Sequence, residues 1–174
     1  MSHLCKNCRK GSGLNAVQAC VAYEGYAKAM ISSLKFKGAQ AAAREMAAHM
    51  KIHLEIGKPA TYIVPIPTAT VRVRRRGYDQ AVLLAKELSR QTHIPYISGL
   101  QRYGQTHQVG ASRKQRLQQL EAAFTANSRI NALKPGRVVL VDDVVTTGAT
   151  LEAAATALRR AGLKHIDAIV FAQA

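Results

Sequence analysis

Residues 138–150 read VVLVDDVVTTGAT, and this run constrains the fold more than any other part of the chain. Val138 to Val141 are four consecutive apolar residues that follow the turn Lys134-Pro135-Gly136. A short, unbroken apolar run of this kind predicts a strand buried on both faces, as strands of parallel sheets are. Asp142 and Asp143 come next and are the only adjacent acids in the chain. Open parallel sheets bind their ligands outside the carboxyl ends of the strands. Two carboxylates placed there repel each other unless they meet hydroxyls, a cation or nearby amides. Thr146-Thr147-Gly148-Ala149-Thr150 then leads into a helix. Small residues let this turn curl tightly, and Gly148 is free to take a positive φ. The N–H groups and hydroxyls of the turn converge at the positive end of a helix dipole, which makes a cradle for phosphate. Acids for sugar hydroxyls beside a phosphate nest describe a pocket for a ribose 5-phosphate group. The plainer alternative, a strand-turn-helix with a threonine cap, leaves the two acids without a task.

The rest of the chain reads as alternating helices and strands. Apolar residues recur at helical spacing from Tyr23 to Leu34, and a second helix is expected from Ala39 to Ile56. Thr61 to Ile66 predicts a buried parallel strand, Asp79 to Gln91 a helix with Val82, Leu83, Ala85 and Leu88 inward, and Ile94 to Ile97 a short strand. Residues 99–116 are polar and weakly patterned, which suggests an exposed loop, and Leu117 to Phe124 suggests a helix. Leu151 to Arg160 predicts a helix closed by Gly162, and Ile166 to Phe171 a last strand. This alternation implies an α/β fold with a parallel sheet. Residues 1–20 read as irregular, so the core is expected to start at about residue 23.

Length and composition narrow the function classes. A chain of 174 residues with 48% apolar residues suits one folded domain and excludes a disordered chain. No apolar run reaches the roughly 18 residues of a membrane span, and no signal-like stretch opens the chain. The expectation is a cytoplasmic protein. Lys and Arg number 25 against 10 Asp and Glu, a formal net charge of +15, which points to a polyanionic partner. Arg72, Arg74, Arg75 and Arg76 crowd one stretch. They could serve a phosphate group of a ligand, a nucleic-acid backbone, or only solvation. Aromatic residues make up 5%, with no Trp, so base-stacking platforms are scarce. Cys5-x-x-Cys8 has the spacing of half a zinc knuckle, and Cys20 and His3 would have to complete the set of four ligands. His49 and His53 stand four apart, but no Glu follows His49, so the pair is not a zinc-protease motif.

The 138–150 segment resembles the phosphoribosyl pyrophosphate (PRPP) signature of type I phosphoribosyltransferases. Leu34-Lys35-Phe36-Lys37-Gly38, Val64-Pro65-Ile66-Pro67, Arg76-Gly77-Tyr78-Asp79-Gln80, Leu100 with Arg102, Thr106 and Gln108, and Arg116 followed by Ala123-Phe124 stand in the order seen in the ComF/GntX family. This resemblance covers residues 23–172 and implies a type I phosphoribosyltransferase-like parallel sheet flanked by helices, with an N-terminal helical segment. It implies that Asp142 and Asp143 are the catalytic pair and contact the ribose 2′ and 3′ hydroxyls. Thr146, Thr147, Gly148, Ala149 and Thr150 would hold the 5-phosphate. Pro67, Thr68, Ala69 and Arg76 would hold pyrophosphate, and Mg²⁺ would accompany PRPP. Arg102, Thr106, Gln108 and Arg116 would belong to a flexible loop that closes over the substrate. Family members carry a cysteine-rich zinc finger ahead of this domain. Cys5 and Cys8 resemble its last pair, so residues 1–22 would be a remnant of it and residues 23–174 the phosphoribosyltransferase-like domain. Asp79 and Gln119 stand where the family commonly has Asn, and an acid at 79 argues against direct phosphate contact there. Two functions follow from the resemblance. One is Mg²⁺-dependent transfer of a phosphoribosyl group to an unidentified acceptor. The other is a non-enzymatic role in DNA uptake, with single-stranded DNA or a helicase as partner.

Overall fold

In the computed structural model, which describes residues 12–35, 39–54, 61–103, 122–133 and 136–174, strands and helices alternate along the chain. The order is β1 (Ala16–Ala22), α1 (Gly25–Leu34), α2 (Ala39–His53), β2 (Thr61–Pro65), α3 (Thr70–Arg76), α4 (Gln80–Thr92), β3 (Leu100–Arg102), β4 (Phe124–Ala126), a 3-10 helix (Ser128–Leu133), β5 (Arg137–Val145), α5 (Ala149–Arg160) and β6 (His165–Gln173). Four strands form one sheet in the order β1-β6-β5-β2, and every neighbouring pair is parallel. β3 and β4 form a separate antiparallel pair. The expected α/β architecture is the one observed.

Residues of β5 alternate between two cores because successive side chains leave a strand on opposite faces. Val138 and Leu140 join Leu151, Ala154 and Leu158 of α5 on one face. Val139 and Val141 join Ile31 of α1, Met46 of α2, and Leu84 and Leu88 of α4 on the other. Each such fully buried aliphatic side chain contributes roughly 1.5–3 kcal/mol. The inner face of α5 includes Ala153, Ala154, Ala155 and Ala157, all buried.

Four expectations are corrected here. The irregular reading fails for Ala16 to Cys20, because Ala16–Ala22 pair along β6 and Leu14 and Ala16 are buried; residues 1–11 lie outside the described residues. Small residues in AVQACVA carry a weak strand signal, and Gly11-Ser12-Gly13 just before them reads as loop. Ser12 Oγ and Gly13 N–H both donate to the Glu152 carboxylate of α5, which ties this segment to the core. Second, α3 is a helix in a stretch where the sequence pattern predicts no element; its seven residues include no buried one, so no apolar stripe announces it. Third, α4 turns Ala81 and Leu84 inward in place of Val82 and Leu83, which are half-buried. Fourth, Phe124 begins a strand, β4, and does not end a helix. Ile94 to Ile97 contributes a single bridge, Tyr96 to Ile63. Among the described residues no helix is long and apolar enough to cross a membrane.

Candidate functional site

β5 outruns its neighbour. Pro65, the last residue of β2, lies opposite Val141, and the Ile66 N–H donates to the Val141 carbonyl at 3.0 Å. Asp142 and Asp143 therefore stand just beyond the end of β2, while still in the ladder to β6. Asp143 is 3% exposed. It departs toward α4, where Gln80 Nε2 donates to its Oδ2 at 3.0 Å and Lys35 Nζ lies 3.9 Å away. Asp142 leaves the strand on the opposite side and is half-buried. Its Oδ1 accepts the Asp143 N–H at 2.8 Å. Burial and repulsion from Asp143 hold the Asp142 carboxyl well above the usual carboxylate range; its backbone bond opposes this, and a hydrogen bond to Asp143 and the charge of Asp79 add to it.

The turn after β5 is open. Thr146 and Thr147 are exposed, and Gly148 caps α5 at φ 76 and ψ −5, with no side chain to cap the helix. The nearest substitute is Thr147 Oγ1, which accepts the Ala149 N–H at 3.4 Å. A helix start of this kind leaves first-turn amides for solvent or an anion.

The turn after β2 is closed. Pro67 has no N–H, and Thr68 spends its N–H (2.8 Å) and its hydroxyl (2.9 Å) on the Asp79 carboxylate. Asp79 also caps α4, accepting from Ala81 N–H at 3.0 Å and Val82 N–H at 3.3 Å. Neither Pro67 nor Thr68 thus brings an uncommitted amide to a ligand. Arg102, expected on a mobile loop, stands on β3 with Nη1 3.4 Å from the Pro67 carbonyl and its guanidinium 5.2 Å from the Phe124 ring centre. Its Nε is buried without a partner among the described residues. Burial and the charge of Arg72 lower its pKa, and Asp142 and Asp79 act the other way. Arg76 is half-buried and donates to Gln80 Oε1, whereas Arg72, Arg74 and Arg75 are exposed.

Of the expected residues, Asp142, Asp143, Thr146 to Thr150, Pro67 to Ala69, Arg76 and Arg102 occupy the carboxyl ends of β2 and β5 and the elements beside them. Thr106, Gln108, Arg116, Cys5 and Cys8 lie outside the described residues. Cys20 is on β1, where burial pushes its thiol up to about 12, which disfavours the thiolate a zinc ion needs. Among the described residues no three His, Cys, Asp or Glu side chains gather as a cation site. An open depression of about 470 Å³ runs along Ala19 to Ala22, Gln173 and Ala174, lined by neither of the two acids and without a charged side chain. Lys35, Gln80 and the capping role of Asp79 were not assigned from sequence. Gln80 stands in the family-like segment Arg76-Gly77-Tyr78-Asp79-Gln80 and at the start of an amphipathic helix, but neither signal gives it a role.

Residues 19–174 match the family described as the phosphoribosyl transferase domain. Over 107 residues the chain is 42% identical to Competence protein F of Haemophilus influenzae, which covers 60% of this chain and 47% of that protein. Competence protein ComFC of Bacillus subtilis is 34% identical over 100 residues, 58% of this chain and 39% of that one. Competence protein ComFC of Streptococcus pneumoniae is 26% identical over 159 residues, 91% and 68%. The matches to the first two relatives thus span less than half of their length. A solved structure described as the allosteric regulatory enzyme of purine biosynthesis superposes with a TM-score of 0.49 at 22% identity, over 74% of this chain and 25% of that one.

Proposed function

The chain belongs to the phosphoribosyl transferase domain family, in its ComF branch, and from this we propose that it binds PRPP at the carboxyl ends of β2 and β5. One observation carries the reading. Two acids that repel each other, one with its carboxyl held above the usual range, sit beside a glycine-capped helix start. Ribose hydroxyls are donors and relieve that repulsion, and a 5-phosphate takes the open amides of the turn at Thr146–Thr150. Arg76, Arg102 and the 67–69 turn face the pyrophosphate end, with positive charge supplied by side chains more than by the Thr68 amide. In transfer, the C1–O bond to pyrophosphate breaks with its electron pair leaving on the oxygen, and an acceptor forms the new bond at C1. The carboxylates of Asp142 and Asp143 offset positive charge that develops on the ribose. Mg²⁺ accompanying PRPP would supply positive charge for the pyrophosphate oxygens, and Asp142 and Asp143 are the acids of this site that would face it. The test is pyrophosphate release from PRPP with Mg²⁺ across a panel of bases and amines. Release that depends on one acceptor supports transfer, and PRPP that neither binds nor turns over removes the proposal.

A second reading rests on α3. Its Arg74 and Arg75 are exposed, and no acid lies in the helix. This face suits a single-stranded DNA backbone, in keeping with relatives described as competence proteins. Replacing Arg74 and Arg75 by Ala should lower the slope of log K against log salt by about 1 to 2 for single-stranded DNA, at about 0.7 per phosphate contact. An unchanged slope removes this reading and leaves the first untouched.

A further inference from the structure

We propose that Gln80 is a positioning residue of the ribose site, whose carboxamide fixes the Asp143 carboxylate and couples it to Arg76. The proposal deepens the ribose-phosphate reading above and rests on it for its use, though not for its geometry. Gln80 is the first residue of α4 and is 5% exposed. A buried carboxamide is costly unless both of its ends are satisfied. Both are: Oε1 accepts from Arg76 Nη1, and Nε2 donates to Asp143 Oδ2 at 3.0 Å. The orientation of the amide is set by its partners. A guanidinium only donates and a carboxylate only accepts, so the flipped amide would face donor with donor and acceptor with acceptor.

The surrounding elements hold this bridge in place from several sides. Asp79 caps α4 and fixes where Gln80 begins the helix. Gly77 closes α3 in the left-handed region at φ 82, and its N–H donates to the Val73 carbonyl at 2.7 Å. Arg76, directly before this turn, is half-buried while Arg74 and Arg75 are exposed. Tyr78 Oη donates to the Leu34 carbonyl at 2.7 Å and so ties the end of α1 to the same turn. The next residue, Lys35, places Nζ 3.9 Å from Asp143 Oδ2. Asp143 thus has a donor from α4 and a cation from the end of α1, while the same amide reaches back to an arginine at the pyrophosphate end. A ligand that spans both ends would find them already connected.

The experiment uses the full chain and begins without ligand. Arg76→Met and Asp143→Asn are combined in a denaturant-unfolding cycle, once with Gln80 and once with Gln80→Met. The expected result is coupling of about threefold or more in the unfolding constant with Gln80, and additivity with Gln80→Met. Additivity in both backgrounds overturns the proposal, whatever the ligand. Ribose 5-phosphate is then titrated by calorimetry. Gln80→Met should weaken it about tenfold. Gln80→Glu should bind nearly as well as the natural chain at low pH, where the introduced carboxyl donates to Asp143 and accepts from Arg76. Its affinity should fall as pH rises and that group ionises against Asp143, with Asp142 and Asp79 adding negative charge and Lys35 and Arg76 opposing it. A pH profile parallel to that of the natural chain overturns the positioning role, because a merely structural side chain would give no such dependence. If the natural chain binds neither ribose 5-phosphate nor PRPP, the ribose reading falls, and the ligand-free cycle still decides the bridge.

Discussion

Two neighbouring turns, after β2 and after β5, answer the same question in opposite ways. Each leaves the carboxyl end of a parallel strand and runs into a helix. After β2, Asp79 collects the Thr68 N–H and hydroxyl and two amides of α4, although Ala69 gives the start of α3 no side-chain cap. After β5, Gly148 supplies no cap, the threonines are exposed, and the acid pair beside them is strained by its own charge. The polar groups of Thr68 are committed within the protein, whereas Thr146 and Thr147 stand exposed beside the acid pair. Under the proposed function, this difference favours the second turn as the anion cradle and gives the first a supporting role, through Arg102 and Arg76, at the pyrophosphate end.

The comparison can be broken from either side. The largest effect is expected from Gly148→Val. A Cβ there would meet nothing within 4 Å, so the cost is backbone strain and not a clash. A β-branched residue at φ 76 costs about 2 kcal/mol or more, or roughly a 30-fold loss of PRPP affinity by calorimetry. Gly148→Asn should lose much less, since Asn tolerates this region. Next comes Asp79→Ala, which opens the closed turn. It should cost about 1–2 kcal/mol of unfolding free energy as a lost cap. PRPP affinity should drop by more than that of ribose 5-phosphate, which does not reach this turn and feels the change only through the start of α4 and Gln80.

Asp142→Asn should stabilise the chain by about 1 kcal/mol at neutral pH, a usual gain when a strained functional residue is relieved. The sign follows from the raised carboxyl. The folded state holds the Asp142 proton more tightly than the unfolded state, so this group favours folding below its unfolded pKa of about 3.9 and loses that contribution as pH rises through its folded value. The gain in melting temperature of Asp142→Asn should therefore grow from pH 4 to pH 7. The smallest effect is expected from Arg74→Ala with Arg75→Ala: stability within about 0.5 kcal/mol and PRPP affinity unchanged, because both side chains are exposed.

The same contrast explains what could be read without coordinates. The open turn is local: its strand, acids, glycine and helix follow one another within thirteen residues, and the order of residue types states the chemistry. The closed turn depends on Asp79, eleven residues from Thr68, and the bridge from Gln80 to Asp143 spans 63 positions, so no local pattern announces either. β1 escaped because alanine and cysteine carry little strand preference, and its place comes from pairing with β6 at the far end of the chain. α3 escaped because a helix with no buried residue leaves no periodic apolar stripe.

The most direct measurement of the central claim is a calorimetric titration of PRPP with Mg²⁺ into the natural chain and into Asp142→Ala. Removing this carboxylate relieves strain in the free protein, so a loss of binding cannot be ascribed to unfolding, and the melting temperature of the same sample confirms it. The account predicts one PRPP per chain and a drop of about tenfold or more in affinity for Asp142→Ala, the scale of a lost hydrogen bond to a charged group. Equal affinity in the two proteins would contradict the placement of the ribose at the end of β5.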